Sequence, residues 1–201
     1  MPAPWVKVNG ITNLADARLA QAAGADAIGL VLVPGDEREV RLDEAAEIAA
    51  SVTIETIAVV NDTRPDFLRT VYLTVEPTRL EIWNAPPPEE ATIPWYRAIL
   101  LTGRENLVAL RDYEPDRFLV HPARDLLPPD GRRFLRDKTL LIEMGRLSRL
   151  VVGGEIDSQN VAAVVKQVRP WGIDVGAATE GDAGLKDWDL LQTFIRHAKE
   201  G

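Results

Sequence analysis

The chain of 201 residues contains no cysteine and carries a formal charge of −8, so a disulfide framework is excluded. Its 46% apolar content suffices for a packed core, yet no apolar run approaches the roughly 18 residues of a membrane-spanning helix. An acidic surface of this kind repels phosphate backbones, which argues against general nucleic-acid binding and leaves any anionic ligand to be held by local groups.

Taken in order, Trp5-Val6-Lys7-Val8 reads as a strand ended by Asn9-Gly10. Asn13 is placed to cap an alanine-rich helix running to Ala23, with Gly24 at its C-terminal cap. Residues 27–33 form a near-continuous apolar run, as expected for a strand buried on both faces of a parallel sheet, closed by Pro34-Gly35. Residues 42–50 have helical spacing, 55–60 read as a third strand and 66–71 as a short third helix. A fourth strand is expected at 79–83, but Ala85-Pro86-Pro87-Pro88 cannot open a helix interior, so the fourth helix is expected to be short or absent. A fifth strand at 96–101, a brief helix at 106–110, a sixth strand at 117–120 and a long loop at 122–131 follow. The seventh strand, 149–152, runs into Gly153-Gly154. A helix at 160–168, an eighth strand at 172–175 and an amphipathic helix at 187–198 complete the chain.

Eight strands alternating with helices predict the α/β class and a lean (β/α)8 TIM barrel occupying 1–201 as one domain. An open doubly wound sheet fits less well: no GxGxxG follows the first strand, whereas glycines follow the last two, as in barrel phosphate loops. The first five residues lack a basic stretch followed by an apolar one, so a cytoplasmic protein is expected, with no membrane partner and as a monomer or homodimer.

In a barrel the active face is assembled from strand C-terminal ends, which singles out Asn9, Arg38, Asn61, Trp83, His121, Gly153, Gly154, Gly176, Ala177 and Glu180. The glycine pair and Gly176-Ala177-Ala178 let backbone N–H groups approach a phosphate, or merely permit tight turns. Arg38 could offer a planar fork to a carboxylate, or pair with its acidic neighbours Asp36 and Glu37. His121 ends an apolar strand with chemistry suited to proton transfer, though a histidine there is often only hydrogen-bonded. His197 is placed to meet a helix dipole. No metal-ligand spacing and no GxSxG elbow is present, so neither a metal nor a serine nucleophile is expected.

Five runs, Lys7 to Thr12, Ala23 to Gly29, Pro34 to Val40, Val60-Asn61 and Asp174 to Asp187, together resemble the phosphoribosylanthranilate isomerases of tryptophan biosynthesis. Lys7-Val8-Asn9-Gly10-Ile11-Thr12 is similar to that family's K-x-C-G-I-T, and Ala23-Gly24-Ala25-Asp26-Ala27-Ile28-Gly29 to its A-G-A-D-A-x-G. Pro34 to Val40 matches P-x-S-P-R-x-V, Val60-Asn61 the third-strand V-N, and Asp174 to Glu180 with Gly184-Leu185-Lys186-Asp187 the closing D-V-S-S-G-V-E and G-x-K-D. The resemblance implies a cofactor-free Amadori rearrangement of an aminoaldose phosphate carrying anthranilate. It also implies Arg38 as carboxylate ligand and Gly153, Gly154, Gly176 and Ala177 as phosphate loops. The family's base, a cysteine ending strand 1, is Asn9 here, and its acid, an aspartate ending strand 6, is His121. Asn9 cannot exchange a proton, whereas His121 can still donate one. The expectation is a weak or altered isomerase with an unassigned base such as Asp36, Asp62 or Glu180. The alternative is a paralogue without activity that binds a phosphorylated sugar ligand or a protein partner.

Overall fold

Short apolar strands leave backbone donors and acceptors on both flanks, and here every strand finds a parallel partner on each side. The computed structural model describes residues 2–89, 91, 93–106, 116–122 and 138–201. Its strands are β1 (Trp5–Val8), β2 (Ala27–Val31), β3 (Glu55–Val60), β4 (Arg79–Trp83), β5 (Trp95–Leu101), β6 (Arg117–Pro122), β7 (Arg149–Val152) and β8 (Gly172–Val175), closed into a parallel barrel in sequence order. β1 and β8 make the closure, in register from Trp5 opposite Gly172 to Val8 opposite Val175. Closure removes the exposed sheet edge and sets residue 7 beside residue 174.

Strand alternation then sorts side chains. Val6 and Val8 face outward into the large core between barrel and helices, whereas Tyr96, Ala98, Leu119 and Val151 fill the barrel interior. The same alternation sends Lys7 inward among them, and carries His121 inward two positions beyond Leu119. At the N-terminal end, Arg117 closes the interior: its guanidinium lies 4.9 Å from the Trp5 ring and 4.5 Å from that of Trp171, and its Nη1 donates to Glu55 at 3.1 Å.

The first helix, Leu14–Ala23, begins and ends as its caps dictate: Asn13 accepts from the Asp16 amide, and Gly24 adopts φ 96° and returns its N–H to Ala20 and Gln21. Other boundaries moved. β2 stops at Val31, and the third helix runs through Pro65–Val75 because its buried stripe, Leu68, Val71 and Val75, continues past residue 71. The helix Lys138–Leu147 was not foreseen, nor was the hairpin of Glu180–Asp182 with Leu185–Lys186. Residues 84–94 hold no helix among those described, in keeping with the proline run. The helix expected at 106–110 and the loop at 122–131 fall outside the described residues except for Asn106 and Pro122. No helix among the described residues is long and apolar enough to cross a membrane.

The last helix, Trp188–Glu200, is capped by Asp187, which accepts from the Leu190 amide, and buries Leu191, Phe194, Ile195 and Ala198 at helical spacing. Phe194 is wholly buried. Replacing it with alanine is expected to cost about 3–5 kcal/mol. A fall in the urea midpoint at unchanged slope would show it, and a loss below about 1 kcal/mol would mean the helix does not anchor the barrel.

Candidate active site

A buried cation anchors the barrel interior. Lys7 Nζ is ion-paired with Glu81 Oε2 and, at 3.1 Å, with Asp174 Oδ1, and none of these side chains is more than 3% exposed. Glu81 is also bonded by the Tyr96 hydroxyl at 2.5 Å and by the Trp83 indole N–H at 2.7 Å. Burial opposes the charge of Lys7, but Asp174 and Glu81 outweigh it and hold the ammonium above its ordinary range. Burial likewise opposes ionisation of Asp174, and Lys7 and His121 outweigh it, so its carboxyl titrates below the usual range. Burial and then Glu81 push the Tyr96 phenol well up, so it stays neutral. The interior therefore holds one ammonium against two carboxylates.

His121 sits directly above this group. Its Nε2 lies 3.2 Å from Asp174 Oδ2, its ring meets Trp83 edge to face at 4.8 Å, and its side chain is 26% exposed. Gly153 makes the placement possible: a Cβ there would fall 2.5 Å from His121 Nε2 and 2.9 Å from Asp174 Oδ2. The Gly153 amide donates to Val120 at 3.0 Å and is already engaged in the barrel. Asn9 donates its backbone N–H to Val175 at 2.7 Å, while its side-chain Oδ1 is buried against Gly29 without a hydrogen-bond partner. It offers no proton acceptor of useful strength.

A second ionic group spans the loops after β2 and β8. Arg38 Nε and Nη2 bind Glu180 side-on, both at 2.8 Å, and Nη1 reaches the exposed Glu37 at 2.7 Å. The arginine stem lies across Gly10, whose φ of 70° and missing side chain admit it. Lys186 donates to Glu180 at 2.7 Å and to the Gly176 carbonyl at 3.2 Å, and the Gly184 amide donates to Glu180 at 3.1 Å. Burial favours the neutral form of Glu180, but Arg38 and Lys186 outweigh it and draw its pKa down to about 2. Burial pulls the Lys186 ammonium below its usual range.

The other expected positions are less connected. Asn61 is exposed at the end of β3. Asp62 is bound by Arg64 at 2.9 Å, and Asp36 caps the Arg38 amide at 2.9 Å. After β8 a 3-10 turn, Ala177–Thr179, follows Gly176, and Thr179 donates both its amide and its hydroxyl back to the Gly176 carbonyl. Thus Trp83, His121 and Gly153 come together, as do Arg38 and Glu180. Lys7, Glu81, Tyr96, Asp174 and Lys186 were not among the expected site residues. Their signal was a charge placed within an otherwise apolar strand, as in Gly172-Ile173-Asp174-Val175. Two cavities, of about 430 and 410 Å³, lie elsewhere: one at the N-terminal end beside Trp5 and Trp171, the other along Pro65–Val75.

The lowered carboxyl of Glu180 has a readable sign. A depressed pKa stabilises the fold above the unfolded value near 4.3 and ceases to do so as pH falls through about 2. Glu180→Gln should therefore lower the melting temperature at pH 7, with the gap from wild type closing between pH 4.5 and 2. An unchanged gap across that range would mean that the Arg38 and Lys186 contacts do not hold this carboxylate.

The family model for N-(5'-phosphoribosyl)anthranilate isomerase matches residues 131–197. A curated N-(5'-phosphoribosyl)anthranilate isomerase of Rhodopseudomonas palustris is 30% identical over 207 residues, covering 96% of this chain and 97% of that protein. One from Myxococcus xanthus is 31% identical over 204 residues, covering 96% and 95%. Among solved structures, the phosphoribosylanthranilate isomerase of Thermotoga maritima superposes with TM-score 0.84 at 26% identity, covering 98% of this chain and all of that one. A phosphoribosylanthranilate isomerase in complex with reduced 1-(o-carboxyphenylamino)-1-deoxyribulose 5-phosphate superposes at 0.83 with 25% identity and the same coverage. Matches of this identity along nearly the whole length establish that the chain belongs to the N-(5'-phosphoribosyl)anthranilate isomerase family.

Proposed function

We propose that the chain catalyses the family's Amadori rearrangement, of phosphoribosylanthranilate or a closely similar aryl aminoaldose phosphate in tryptophan biosynthesis, with His121 as proton donor to the sugar ring oxygen. The observation that carries this reading is the His121 imidazole itself: inward-facing at the end of β6, bonded to an anionic carboxylate and 26% exposed. A proton donor at that position needs an ionisable group with one edge open to the ligand, and an imidazole meets that need where the family has a carboxyl.

Groups suited to binding the substrate support the same reading. Arg38 gives its Nε/Nη2 edge to Glu180, which leaves the Nη1/Nη2 edge for an aryl carboxylate that displaces Glu37, a side chain 68% exposed. Two carboxylates can share one guanidinium in this way, each on its own edge. With the Gly153 amide engaged, Gly154 and the turn Gly176-Ala177-Ala178 are left to supply backbone donors to a phosphate, aided by the local N–H dipoles. The two serine hydroxyls of the family motif are absent there.

A second reading, binding without turnover, draws on the other half of the site. Asn9 stands where the base is expected, and Glu180, Asp62 and Asp36 are each held by an arginine or an amide. The two readings part on one assay. Freshly generated phosphoribosylanthranilate, followed by loss of its anthranilate fluorescence, should be consumed about 10²- to 10⁴-fold more slowly than by a family enzyme with both groups intact. Asn9→Cys combined with His121→Asp should raise the rate measurably. Absence of turnover in both proteins, with the ligand still raising the melting temperature, would establish binding alone.

A further inference from the structure

Both proton transfers of an Amadori rearrangement act on atoms bonded to the same sugar carbon. The ring oxygen must gain a proton as its bond to C1 breaks, and C2 must then lose one. The usual solution places a separate acid and base on either side. His121 is the inward-facing imidazole at the end of β6, and the carboxylates that could serve as a separate base are engaged elsewhere: Glu180 by Arg38, Asp62 by Arg64 and Asp36 by the Arg38 amide. Asn9 offers an amide, and Glu180 is fastened by Arg38 and Lys186.

The surroundings of His121 fix one edge of its ring. The groups facing it are Asp174 on β8, with Lys7 on β1 and Glu81 and Tyr96, on β4 and β5, behind. Trp83 on β4 packs against the ring, and Gly153 and Gly154, directly after β7, lie beside it. Orientation follows from these contacts. The Cδ2–Nε2 edge of the ring faces Gly153 and Asp174, so Nδ1 lies on the opposite edge, and no hydrogen bond reaches it among the described residues.

We propose that Asp174, fixed by Lys7, is the positioning residue that allows the single imidazole of His121 to perform both proton transfers through Nδ1. The proposal rests on the isomerase reading above. In the first step Nδ1–H gives its proton to the ring oxygen, the C1–O electron pair leaves with that oxygen, and the nitrogen lone pair forms the iminium. The imidazole is then neutral, with Nε2–H held by Asp174. In the second step Nδ1 takes the proton from C2, the C–H pair becomes the C1–C2 double bond, and the iminium pair returns to nitrogen. The enolamine tautomerises to the aminoketose, and His121 is again protonated. No external acid, base or oxidant is needed, and Asn9 takes no part in proton transfer.

The test uses the full chain with phosphoribosylanthranilate across pH 5.5–9, together with ¹⁵N NMR of the imidazole. Wild type should show a kcat/KM profile with one descending limb, since the resting enzyme need only be protonated at one group. Asp174→Asn should move that limb to lower pH by about one unit or more, because loss of an adjacent anion makes an imidazolium easier to deprotonate. Above both limbs the variant should be about tenfold or more slower, and below both it should approach wild type, with KM little changed. In the neutral ring, the Nε2–H tautomer should dominate in wild type and not in the variant. If Asp174→Asn fails to fold with Lys7 half paired, Gly153→Ala serves instead, since its methyl would push Nε2 off Asp174 and move limb and tautomer in the same directions. His121→Asn should retain less than about 1% of the wild-type rate at every pH.

An ascending limb between pH 6 and 8 in wild type, or more than a tenth of the rate left in His121→Asn, would overturn the single-imidazole relay while the isomerase reading stands. An immobile limb in Asp174→Asn would overturn the positioning role alone. A wild type inert at every pH overturns the isomerase reading and the relay with it, and the NMR tautomer then reports only the resting geometry.

Discussion

The ion pairs of Lys7 with Glu81 and Asp174 are the constraint on which the rest of this barrel depends. They tie β1 to β4 across the interior and to β8 along the closing seam. Removing one partner of such a buried group leaves an uncompensated charge, at a typical cost of about 3–5 kcal/mol. The group also sets the floor of the site. Glu81 holds the Trp83 indole from below, and Asp174 holds His121, so the two side chains that meet edge to face are each fastened to the same ammonium through one carboxylate.

Strand and helix order was largely legible because burial on both faces of a parallel strand produces unbroken apolar runs, and because the caps at Asn13 and Gly24 are local chemistry. Boundaries failed where the deciding contact was tertiary. The stripe of Leu68, Val71 and Val75 is buried in the core between barrel and helices, and the helix Lys138–Leu147 buries Leu140, Leu141 and Met144 in the same core. The site was legible only in outline. Arg38 could be read as pairing with neighbouring Glu37, and it does, but its firmer partner lies 142 positions away at Glu180. Likewise no spacing rule connects His121 with Asp174, because β6 and β8 are separated by β7 in the sheet and the two side chains meet in the barrel interior.

The two ionic groups divide the C-terminal face between strands and loops. The His121 side rests on buried groups whose positions are fixed by strands, while the Arg38 side is built from loops after β2 and β8 and the hairpin beyond. The Arg38 guanidinium is already oriented by Glu180, so the carboxylate binding proposed there would cost it little rotamer freedom. Displacing Glu37 costs little, since that residue returns to water.

Lys7 lies near the start of the chain and Asp174 near its end, and this separation has a consequence for biosynthesis. During translation Glu81 emerges long before Asp174, so for most of the time on the ribosome the ammonium can meet only one of its two counter-ions. The seam between β1 and β8 closes last, and the loop entropy it must overcome spans nearly the whole chain. Until then the interior of the partial barrel carries a polar group with no reason to be dry. The strand that brings the second counter-ion, β8, is thus also the strand that completes the barrel.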